Sequence, residues 1–111
     1  MTQEQDAQKM QELQLLEQNM QNLLMQKQAF QMELSETEAA IAEIKKSGDQ
    51  VYKVIGQLMI QSKKDDLKKE LEDKLKLLET RMKSIEKQES GFSRKIQEIM
   101  EEVMKSMEKK K

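Results

Sequence analysis

Apolar residues recur along the first half of the chain in alternating steps of three and four: Leu13, Leu16, Met20, Leu23, Phe30, Leu34, Thr37, Ile41 and Ile44, with Lys27 standing in the series. A second series in the same rhythm runs through Leu71, Leu75, Leu78, Met82, Ile85, Phe92, Ile96, Ile99 and Val103, interrupted by Glu89. This spacing keeps one stripe facing a partner and marks a left-handed coiled-coil seam. Helices are predicted over about residues 10–47 and 63–108, with residues 1–9 polar, Gln-rich and either frayed or helical only in context. Gly48 is placed to end the first helix as its C′ residue. Ser62 with Asp65 resembles a capping box at the start of the second.

Helical periodicity stops only between Gln50 and Ser62. Two short apolar runs rich in β-branched residues flank Gly56-Gln57, the pattern of a hairpin with glycine at the first central turn position. The register sets Ile55 opposite Leu58, Val54 opposite Met59, and Lys53 opposite Ile60. One face then carries Val51, Ile55, Leu58 and Ile60, and the other Tyr52, Val54 and Met59, with Lys53 free to snorkel or to meet a carboxylate of another chain. A lone hairpin is marginal in water and exposes two unpaired edges. Val51, Tyr52, Val54, Ile55, Gly56, Leu58, Met59 and Ile60 are therefore expected to form an oligomerisation element, with Tyr52 packed at a subunit boundary.

A short connection makes the two helices antiparallel neighbours. The seams then match in order, Ile44 with Leu71 through Leu13 with Val103, and the two interruptions, Lys27 and Glu89, fall opposite each other. A polar pair at core positions specifies register; two independently solvated charges are the competing reading. An arm of about 40 residues would be roughly 60 Å long, with the hairpin at one end and both termini at the other. Off-seam apolar residues concentrate near the termini, including Met10, Leu15, Leu24, Met25, Met100, Met104 and Met107. Methionine suits surfaces that accept many partners. The candidate surface for binding apolar segments of other proteins is Met10, Leu13, Leu15, Leu16, Met20, Ile99, Met100, Val103, Met104 and Met107; packing against a further helix is the alternative.

Composition narrows the chemistry. Of 111 residues, 37% are charged and 3% aromatic, proline is absent, and the formal charge is −1. Such a chain is suited to long helices rather than to a globular core, and no net field steers it to nucleic acid or to a membrane surface. No histidine or cysteine is present, which removes the commonest general base, the thiol nucleophile and thiolate metal sites. Carboxylates alternate with lysines at helical spacing and read as solvated pairs. No catalysis, metal or other cofactor is expected, no apolar run could span a bilayer, and a cytoplasmic location is the simplest expectation.

Val51-Tyr52-Lys53 with Gly56, Glu70-Leu71, Lys74-Leu75, Leu78-Glu79, Arg81 and Ile85-Glu86-Lys87-Gln88-Glu89, together with Gln26-Lys27-Gln28 and Glu33-Leu34, resemble the β-type subunits of the prefoldin family, similar to the eukaryotic subunit numbered six. The resemblance covers about residues 13–105 and treats the chain, residues 1–111, as a single prefoldin-like domain. It implies a mainly α fold, an antiparallel two-helix coiled coil with one β-hairpin, whose hairpins assemble into an oligomeric β-barrel platform. It further implies a hexamer of two α-type and four β-type subunits. The activity implied is that of an ATP-independent holdase that takes unfolded protein clients at the coiled-coil tips and delivers them to a group II chaperonin. A structural spacer or heterodimerisation protein without client binding is the alternative.

Overall fold

The computed structural model describes residues 3–109. Helix α1 runs Gln3–Lys46, strands β1 and β2 run Gln50–Ile55 and Leu58–Lys63, and helix α2 runs Lys64–Lys109. The chain forms two compact units: a hairpin unit from Ala29 to Lys83, and a terminal unit of the residues up to Gln28 with those from Ser84 onward.

In the hairpin unit, the strands pair antiparallel with Ile55 opposite Leu58, Val54 opposite Met59 and Lys53 opposite Ile60, as the turn chemistry predicted. Gly56 has φ +60°, while no other residue with described geometry has positive φ. A turn with positive φ only at its first central position matches the right-handed twist of the strands, and glycine takes that conformation without a Cβ clash. Val51 packs with Ile44 and Leu67 into a small core, against which Leu71 also lies. Thr37, Ile41, Leu78 and Met82 are buried along the helices, and Phe30, Leu34 and Leu75 are half-buried. The Thr37 hydroxyl donates to the Glu33 carbonyl at 2.7 Å, so a polar side chain sits in the seam with its hydrogen bond made. The Arg81 guanidinium lies 6.0 Å from the centre of the Phe30 ring and covers it.

The helix ends at the hairpin lie within one residue of those predicted, but both proposed caps are corrected. Gly48 lacks the left-handed conformation of a C′ glycine. Instead Ser47 closes α1, its amide donating to the Ile44 carbonyl at 3.1 Å and its hydroxyl to the same oxygen at 2.8 Å. Lys64 Nζ adds bonds to the carbonyls of Ser47 at 2.9 Å and Lys45 at 3.5 Å. A cation at this negative helix end suits the macrodipole. Ser62 does not cap α2, because it remains in the ladder opposite Val51 and its hydroxyl meets the Lys63 carbonyl. The acidic first turn of α2, Asp65 and Asp66, is as expected.

In the terminal unit the helix begins seven residues before the expected position 10, at Gln3. Of the two readings of residues 1–9, frayed or helical in context, Gln3 to Lys9 take the second. Asp6 and Lys9 continue the three-four spacing of the seam and have partners on α2: Asp6 Oδ2 accepts from the Ser106 hydroxyl at 3.1 Å, and Lys9 pairs with Glu102. These bonds hold a first turn that apolar patterning alone would leave loose. Leu13, Leu23, Ile85, Ile99 and Ser106 are buried. Leu16, Met20, Phe92, Ile96 and Val103 are half-buried.

Candidate binding surfaces on the hairpin and the terminal unit

The hairpin presents apolar side chains on both faces. Tyr52, Val54 and Met59 are exposed on one, and Ile55, Leu58 and Ile60 on the other; Met59 is 71% exposed. Only Val51 is covered by its own chain. Tyr52 is 56% exposed within the chain. Lys53 needs no partner from another chain: its ammonium reaches Glu70 on α2 at 2.5 Å. This pair ties the strand to the helix and leaves the apolar residues of that face without a competing free charge.

In the terminal unit, Lys27 Nζ reaches both carboxylate oxygens of Glu89, at 3.0 and 3.4 Å. Both side chains are less than a third exposed, at 24% and 29%, so the pair lies in the seam rather than out in water. At the far end of the same seam lie the Asp6–Ser106 bond and the Lys9–Glu102 pair. The hydrogen bond to Glu102 is the main cause that holds the Lys9 ammonium above its ordinary value of 10.5. Patterning did not single out Asp6, Lys9, Glu102 or Ser106, because charged and hydroxyl side chains at helical spacing look the same whether solvated or paired across a seam. The spacing of Asp6 and Lys9 from Leu13, and of Ser106 from Val103, was the available signal.

The candidate apolar residues divide by geometry. Leu13 and Ile99 are buried, at 9% and 6% exposure; their assignment to the binding surface is corrected, because they fill the seam. Leu16, Met20 and Val103 are half-buried at its margins. Met10, Leu15, Met100, Met104 and Met107 are exposed, as are Leu24 and Met25.

Met10, Leu24, Met100 and Met107 share one side. Met10 and Leu24 directly follow the seam positions Lys9 and Leu23, and Met100 and Met107 directly follow Ile99 and Ser106. In an antiparallel pair, residues that directly follow this class of seam position on both helices border the same side of the seam, by the 100° turn per residue and the reversed chain direction. Met104 lies just outside this stripe. The opposite flank reads Gln5, Glu12, Asn19 and Gln26 on α1 and Gln88, Lys95 and Glu102 on α2. One flank carries Met10, Leu24, Met100 and Met107, with Glu17, Glu86 and Ser93 at the same register between them; the other is polar throughout. Leu15 lies toward the polar side, away from the stripe, and Met25 on the outer surface of α1.

This combination, a two-strand hairpin between two long helices, has close counterparts. Residues 7–110 match the family described as "Prefoldin subunit". The chain belongs to the prefoldin subunit family. It is 36% identical over 98 residues to the prefoldin subunit beta of Methanococcoides burtonii, covering 86% of this chain and 84% of that one. It is 37% identical over 98 residues to that of Methanothrix thermoacetophila, covering 86% and 82%. The crystal structure of the prefoldin beta subunit from Thermococcus strain KS-1 superposes with a TM-score of 0.85 at 32% identity, covering 92% of this chain and 91% of that one. The mainly helical prefoldin fold expected from the hairpin residues is thus shown by both sequence and structure. Among the described residues, no helix is long and apolar enough to cross a membrane.

Proposed function

We propose that this chain is a β-type subunit of a cytoplasmic prefoldin assembly, an ATP-independent chaperone that holds unfolded proteins. The hairpin joins it to other subunits, including an α-type partner, in a hexamer of two α-type and four β-type chains with a shared β-barrel platform. The methionine-rich stripe of the terminal unit takes the client, which is then passed to a group II chaperonin. The observation that carries this reading is the exposure of apolar side chains on the hairpin and of Met10, Leu24, Met100 and Met107 along one flank of the terminal unit. Holding an apolar segment requires no bond making, so the work falls to contact area. Several subunits on one platform add weak contacts through effective concentration, so a client held loosely at each can be held firmly by all and released without nucleotide.

The test is suppression of aggregation of a chemically unfolded protein by the assembly, alone and with an α-type subunit. Met100→Glu with Met107→Glu is expected to abolish suppression while native mass spectrometry shows the same oligomer. Equal suppression by the charged variant would overturn client capture on this stripe and favour the spacer reading. Val54→Glu with Met59→Glu is expected to release monomers; an unchanged native mass would remove the hairpin as the joining element.

A further inference from the structure

The oxidisable side chains of this protein are sorted by position. The chain has ten methionines and no cysteine, so no thiol stands ahead of the thioethers in reaction with a two-electron oxidant. Met10, Met100, Met104 and Met107 are exposed on or beside the apolar stripe, while Met25, Met32 and Met59 are exposed elsewhere and are open to the same oxidant. The seam of the terminal unit is built chiefly of leucine, isoleucine and phenylalanine, which peroxide leaves alone; its one methionine, Met20, is half-buried, and Met82 in the hairpin unit is buried.

We infer that the stripe is a redox-controlled surface, whose grip on unfolded protein is switched off when hydrogen peroxide converts Met10, Met100, Met104 and Met107 to methionine sulfoxide. This rests on client capture by the stripe. In the reaction the thioether sulfur attacks one peroxide oxygen, the S–O bond forms as the O–O bond breaks, and the departing hydroxide takes up the transferred proton as water. Sulfur is oxidised by two electrons and the peroxide is reduced. The product is a polar sulfoxide on a previously apolar, adaptable side chain, and reductase enzymes can reverse it. Because accessible methionines react first, the surface turns polar while the seam that maintains the fold is still intact. A leucine-rich stripe would bind apolar segments too, but could not be switched in this way.

The test treats the full-length protein in its assembled state with hydrogen peroxide, maps sulfoxides by peptide mass spectrometry, and measures capture of a chemically unfolded test protein. The four stripe methionines are expected to oxidise before Met20 and Met82, with helicity by circular dichroism unchanged. Capture should weaken about tenfold, equivalent to about 1.4 kcal/mol, and return after treatment with methionine sulfoxide reductases. A variant with Met10, Met100, Met104 and Met107 all replaced by Leu should capture clients before and after peroxide alike. Undiminished capture by the oxidised wild type would overturn the inference, and so would equal loss in the Leu variant, which would place the effect at Met59 or another residue. If neither reduced protein captures anything, the client-binding reading itself falls, and the switch with it.

Discussion

Replacing Lys27 and Glu89 by Leu, singly and together, tests whether the polar pair organises the seam of the terminal unit. The ammonium lies 3.0 Å from one carboxylate oxygen and 3.4 Å from the other. At an effective dielectric near 20 that separation gives about 5 kcal/mol of gross attraction, most of it offset by the cost of removing both charges from water. The pair is less exposed than a surface pair, for which measured couplings run about 0.2–1 kcal/mol. Hydrogen bonds to charged groups in proteins contribute about 1.5–3 kcal/mol. A coupling of about 1–2 kcal/mol follows. The single variants should be unequal. Lys27→Leu leaves the short Glu89 side chain half-buried and unpaired and costs about 1–2 kcal/mol. Glu89→Leu leaves a lysine that can extend its ammonium to water, and costs roughly 0.5–1 kcal/mol. The double variant replaces the pair with a Leu-Leu contact and should be close to wild type or more stable. Urea unfolding of all four proteins, at low and high salt, gives the cycle. A coupling below about 0.3 kcal/mol, within ordinary additivity, would show that the charges are solvated independently and would remove the pair from the account of register.

The glycines and caps supply further tests, all read by thermal or denaturant unfolding. Gly91 lies inside α2 with nothing within 4 Å of where a Cβ would stand, so Gly91→Ala should stabilise by about 0.5–1 kcal/mol; destabilisation would indicate a close neighbour at that position. Gly56→Ala should destabilise by about 1–2 kcal/mol because alanine must adopt the positive φ of the turn, with Gly56→Asn milder; equal stability of all three would contradict the turn geometry. Lys64→Ala should cost about 0.5–1 kcal/mol through loss of its bonds to the last carbonyls of α1, with little effect from Lys63→Ala as the control. Thr37→Val keeps the shape of a buried side chain whose hydroxyl already bonds within its own helix turn; the change should stay within about 0.5 kcal/mol or stabilise, and a larger loss would mean that the hydroxyl has a second role.

Much of this architecture is legible in the sequence, because it rests on periodicity. Leu13 to Ile44 and Leu71 to Val103 repeat in three-four steps and are buried or half-buried wherever the seam passes. The hairpin register follows from Gly56-Gln57 between two β-branched runs, since only one pairing puts a positive-φ glycine at the first turn position. The less legible features depend on single side chains whose role is set in three dimensions. Ser62 has the spacing of a cap, yet strand pairing with Val51 holds it back, and Lys64 caps the other helix instead. Asp6, Lys9, Glu102 and Ser106 look like a solvated charged end until α1 and α2 bring them together. Lys53 could have sought another chain, but Glu70 lies within reach. For the terminal unit, composition identified a methionine-rich surface but could not separate Leu13 and Ile99, which fill the seam, from Met100, Met104 and Met107, which do not.

The central claim is that unfolded protein is held on one flank of the terminal unit, and site-specific cross-linking tests it directly. A photoreactive side chain is placed at Met104 or Met107 on the apolar side, and at Glu12, Asn19 or Lys95 on the polar side, each in an otherwise unaltered assembly mixed with an unfolded client. Cross-links to the client should concentrate at positions 104 and 107 and be scarce at 12, 19 and 95. Equal yields at all five positions, or client cross-links confined to the polar flank, would contradict it.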